Sequence, residues 1–78
     1  NPFNPTTTIR FNLVVAQSTI DLCIYDINGR LVETLVNGEL VVGEHEIQWN
    51  ASQSSSGVYF VELIAGEKRQ IQKLLLLK

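Results

Sequence analysis

Hydrophobic and polar positions alternate along most of this chain. In TTTIRFNLV, Ile9, Phe11 and Leu13 share one parity, while Thr8, Arg10 and Asn12 share the other. STIDLCIYD repeats the pattern, with Ile20, Leu22 and Ile24 set against Asp21, Cys23 and Tyr25. A period of two, rich in β-branched and aromatic residues, predicts strands with one buried face. Asn28-Gly29 follows, a dipeptide that supplies the two positive-φ residues of a tight hairpin turn.

RLVETLVNG fits a short helix as well as a bulged strand, and Asn37-Gly38 could cap either. Its two valines and the preceding hairpin turn favour a strand. GEHEIQW then places His45, Ile47 and Trp49 on one face, and NASQSSSG reads as a polar loop closed by Gly57. GVYFVELIA is the most strand-like stretch, with Val58, Phe60, Glu62 and Ile64 on one face and Tyr59, Val61 and Leu63 on the other. After a turn at Gly66-Glu67-Lys68 a last strand runs through RQIQKLLLLK. Six or seven short strands, each ended by a turn signal, predict an all-β antiparallel sandwich. The expected core is Ile9, Phe11, Leu13, Ile20, Leu22, Ile24, Trp49, Tyr59, Val61 and Leu63.

The chain begins NPFNP, and two prolines in five residues forbid a regular start. Pro2 and Pro5 fix φ and push Asn1 and Asn4 toward extended conformations. Residues 1–6 are therefore read as a stiff strap joining a linker to the folded part, with Phe3 laid on the end of the sandwich.

Seventy-eight residues are expected to make one domain spanning 1–78, and 45% hydrophobic with 18% charged argues against disorder. A net charge of −2 carries no basic footprint for nucleic acid. No apolar run approaches the roughly 20 residues of a transmembrane helix. The missing initiator Met and the linker-like start imply a piece cut from a longer chain and ending where that chain ended.

Catalytic chemistry is scarce. One His, one Cys and no CxxC or HExxH spacing leave no metal or nucleophile constellation. His45 shares the parity of Trp49 and reads as a packed or rim residue, and Cys23 reads as a small packed one. Asp21 and Asp26 lack the dense oxygen-ligand loop that calcium requires. The glutamates fall on solvent parities, and most aromatics interleave with aliphatics on inward parities, which favours core packing over an exposed sugar platform. No catalytic, cofactor or metal residue is assigned, and the chain is not expected to be an enzyme.

KLLLLK breaks the alternation, since Leu74 and Leu76 point one way while Leu75 and Leu77 point the other. One pair can enter a core. The second is either covered as in a strand buried on both faces or left as an apolar patch rimmed by Lys73 and Lys78 for a protein partner.

Four segments in this order, NPFNPTTTIRFNL, IYDINGRLVETLV, WNASQSSSGVYFVEL and KLLLLK, resemble the C-terminal sorting domains, type A, of type IX secretion cargo. Two positions depart from that pattern. LVVAQST stands where a Pro-x-x-Gly turn is usual, and Trp49-Asn50-Ala51 stands where Trp-Asp-Gly is usual. The resemblance implies an immunoglobulin-like sandwich of about seven strands. It implies a label, covalently joined to an N-terminal cargo, that is read by the type IX machinery and removed by a sortase-like peptidase. The cargo would travel through the periplasm of a Gram-negative bacterium to its surface or medium. Asn1, Pro2, Phe3, Asn4 and Pro5 would be the junction motif, and Lys73, Leu74, Leu75, Leu76, Leu77 and Lys78 the recognised terminus. Two other readings remain beside it: a glycan- or protein-binding module, and a structural domain like that of flagellar hook-capping proteins.

Overall fold

The computed structural model describes residues 6–14 and 17–77, except the side chains of 17 and 18. Residues 1–5 of the strap and the terminal Lys78 lie outside the described residues, while Thr6, the last strap residue, is already part of a strand. Six strands and no helix lie among those described: β1 (Thr6–Leu13), β2 (Gln17–Tyr25), β3 (Leu31–Leu40), β4 (Gly43–Asn50), β5 (Gly57–Ala65) and β6 (Lys68–Leu76). They form two antiparallel sheets, one of β1 and β4, the other in the order β3-β2-β5-β6. RLVETLVNG is a strand. Three register shifts between β2 and β3 absorb its two-residue apolar clusters, so Leu35 and Val36 both pack against the core.

Parity decides burial across the gap between the sheets. Ile9, Leu13 and Trp49 from one sheet meet Ile20, Leu22, Ile24, Tyr59, Val61, Leu63 and Leu76 from the other in a single cluster. Trp49, 1% exposed, is its largest member, and Tyr59 meets it edge-on at 5.2 Å between ring centroids. Ala51 is also fully buried, at the start of the serine loop. That loop is tied by Asn50 Oδ1 accepting from the Ser52 amide, by the Ser54 amide donating to the Ala51 carbonyl, and by Tyr59 Oη donating to the Ser55 carbonyl at 2.7 Å.

Two expectations need correction. Phe11 is only partly buried: it shares the inward parity, but β1 belongs to a two-stranded sheet. Its ring stacks on its cross-strand partner His45 at 5.5 Å and borders a cleft lined by Gln70 and Gln72 of β6. Asn28 does not adopt positive φ, and only Gly29 does, at 81°. The β2–β3 loop is one residue longer than a two-residue turn. Its Gly29 amide donates to the Asp26 carbonyl, the Asp26 amide donates to the Arg30 carbonyl, and Asp26 Oδ1 accepts from the amides of Asn28 and Arg30. Tyr25 and Phe60 lie off the core, as their parity predicts. They are cross-strand partners on the face opposite the buried residues of β2 and β5.

Candidate functional site

The polar groups with catalytic potential are engaged structurally and dispersed. His45 Nε2 lies 2.7 Å from the Val41 carbonyl, beneath the Phe11 ring. Cys23 Sγ lies 3.7 Å from Thr34 Oγ1, Asp26 organises its turn, and Asp21 accepts from Asn37 Nδ2. No group of three His, Cys, Asp or Glu capable of holding a metal occurs among the described residues. No described helix is long and apolar enough to cross a membrane.

β6 holds the unusual surface. It pairs with β5 without interruption, from Ala65↔Lys68 to Gly57↔Leu76, after a two-residue hairpin at Gly66-Glu67. Gly66 has φ 63° and Glu67 is not positive, so the turn follows the II′ pattern, whose first position suits glycine. That register sets the leucines. Leu74 stands opposite buried Tyr59 and packs on the core, and Leu76 is 4% exposed. Leu75 stands opposite Val58 on the other face and is 61% exposed, and Leu77 is 76% exposed. Lys73 is exposed on the Leu75 face. The structure therefore separates the predicted terminal residues: Leu74 and Leu76 are core, while Lys73, Leu75 and Leu77 face outward.

The outer face of the four-stranded sheet extends this patch. Exposed Ile71 lies beside half-buried Val58, Phe60, Ile64 and Tyr25. Glu62 sits among them with its side chain only 13% exposed, covered by an ion pair with Arg69 of the neighbouring strand. Partial burial pushes the Tyr25 phenol above its ordinary value, and the negative charges available to Cys23 and Glu62 act in the same direction. Both apolar parities of β5 are visible in GVYFVELIA, and the one expected in the core, Tyr59, Val61 and Leu63, is the one the second sheet covers.

Two facing antiparallel sheets, with an apolar outer face bordered by cations, define an all-β sandwich domain. The chain belongs to the family of secretion system C-terminal sorting domains, whose model matches residues 1–77. No curated protein and no solved structure matches it significantly.

Proposed function

We propose that this chain is the sorting label of a type IX secretion cargo, read by the machinery through its terminal strand. The observation that carries the reading is the family membership over residues 1–77. The outward face of Leu75 and Leu77 with Lys73 gives the label a surface to be read, and Lys78 would complete it. Asn1, Pro2, Phe3, Asn4 and Pro5 would be the junction to the cargo, where a sortase-like peptidase separates label from cargo. The cargo is then released or attached at the cell surface.

The label is an immunoglobulin-like sandwich. Supporting this, the sheet order β3-β2-β5-β6 against β1-β4 corresponds to C′-C-F-G against B-E of that plan. Tyr59, near the start of β5, donates to a carbonyl four residues upstream, as a tyrosine corner does at the start of strand F.

Fusing the chain to the C-terminus of a periplasmic reporter, in a bacterium with the type IX machine, is expected to put the reporter outside the cell. A folded fusion retained in the periplasm would overturn the proposal. One observation favours a glycan-binding module instead: the outward pair Tyr25 and Phe60, with Asp26 and Arg69 beside it in one shallow groove. That module predicts sugar binding and no export.

A further inference from the structure

The charge of this chain is segregated. Residues 1–67 hold two cations, Arg10 and Arg30, against eight carboxylates, whereas residues 68–78 hold Lys68, Arg69, Lys73 and Lys78 and no carboxylate. A net charge of −2 conceals this. The basic residues of the second group that are described sit on β6, at the edge of the four-stranded sheet. Of them only Arg69 has an ion-pair partner among the described residues, Glu62.

That edge is built like a template. β6 presents nine residues in unbroken register, without proline, glycine or bulge, and no described strand lies on its far side. Such an edge leaves a row of backbone donors and acceptors open to another extended segment. On its outer face, Arg69, Ile71, Lys73 and Leu75 alternate basic and apolar side chains.

Resting on the sorting reading, we propose that the β6 edge captures an extended acidic segment of a different protein by antiparallel or parallel strand addition. On the outer face its carboxylates would meet Arg69 and Lys73 and its apolar residues Ile71 and Leu75, while Lys68 adds positive charge at the start of the strand. Net charge disfavours the simplest rival occupant, the β6 of a second copy, because pairing would bring together two strands of three cations each and no carboxylate. The opposite sheet edge, β3, carries Glu33 and Glu39, but its three register shifts against β2 interrupt the straight ladder that β6 requires. A bare polyanion, such as an anionic lipid surface, would use the cations but neither the open backbone nor the apolar alternation. An acidic strand uses all three.

The test uses the 78-residue chain and three probes: a nine-residue peptide repeating Glu-Thr-Val-Thr, so that Glu and Val alternate along one face opposite that of β6, the same peptide with Lys in place of Glu, and phosphatidylglycerol vesicles. The acidic peptide is expected to slow amide hydrogen exchange along β6 and to bind about tenfold or more tightly than the basic one. Lys68→Glu with Lys73→Glu, both at exposed positions, is expected to invert that preference. Equal binding of the two peptides, or no change in β6 exchange, overturns the proposal. So does protection that depends only on protein concentration, which would mean self-association, or vesicle binding without β6 protection. In the reporter fusion the same double substitution is expected to reduce export about tenfold. Export of the wild type with an unimpaired double variant removes only the acidic strand, whereas retention of the wild type removes the sorting reading itself.

Discussion

At the scale of single residues, the two largest aromatic contacts differ in what they bury. Trp49 is enclosed by both sheets, so Trp49→Ala leaves a cavity and is expected to cost about 3–5 kcal/mol in chemical denaturation. Phe11 shares the inward parity yet stays partly exposed, stacked on His45 of the paired strand, and Phe11→Ala is expected to cost only about 1–2 kcal/mol. Equal losses for the two would contradict the placement of Phe11. Tyr59→Phe keeps the ring contact with Trp49 and removes one hydrogen bond to Ser55, an expected loss of about 1 kcal/mol. Asp26 shows how a short side chain replaces a missing turn residue. By accepting from two loop amides it stabilises a three-residue loop in which only Gly29 needs the left-handed region.

At the scale of elements, β6 divides into a buried face and an exposed one. Leu76→Ala removes a buried side chain beside Ala51 and Trp49 in the same cluster, and thermal unfolding should show a loss of about 2–4 kcal/mol. Leu75→Ser with Leu77→Ser removes apolar surface already in water, so stability should change by less than about 1 kcal/mol while reporter export falls. Removing Leu77 and Lys78 should likewise abolish export from a folded fusion. Normal export from either folded variant would remove the terminal face from the signal. KLLLLK told in advance which leucines travel together. It did not tell which pair enters the core, because that depends on the pairing of β6 with β5 and on the sheet beyond it. The same limit held for RLVETLVNG, where helix and strand shared one apolar pattern until a partner strand supplied its ladder.

At the scale of the molecule, one hydrophobic cluster joins both sheets, so neither sheet keeps its core without the other. Urea unfolding followed by Trp49 fluorescence and by far-ultraviolet dichroism is expected to give coincident transitions. Separate midpoints would mean that the four-stranded sheet survives alone. The sequence by itself determined the all-β class, the two faces of each strand, nine of the ten expected core residues and the family resemblance, because side-chain alternation is a local property of extended backbone. Tertiary structure alone decided that Phe11 lies beside a cleft, that Leu76 rather than Leu75 enters the core, and that the basic strand is an edge. Those three facts depend on which strand lies beside which and on how far a two-stranded sheet can cover a four-stranded one. No residue carries that information in its own neighbourhood along the chain.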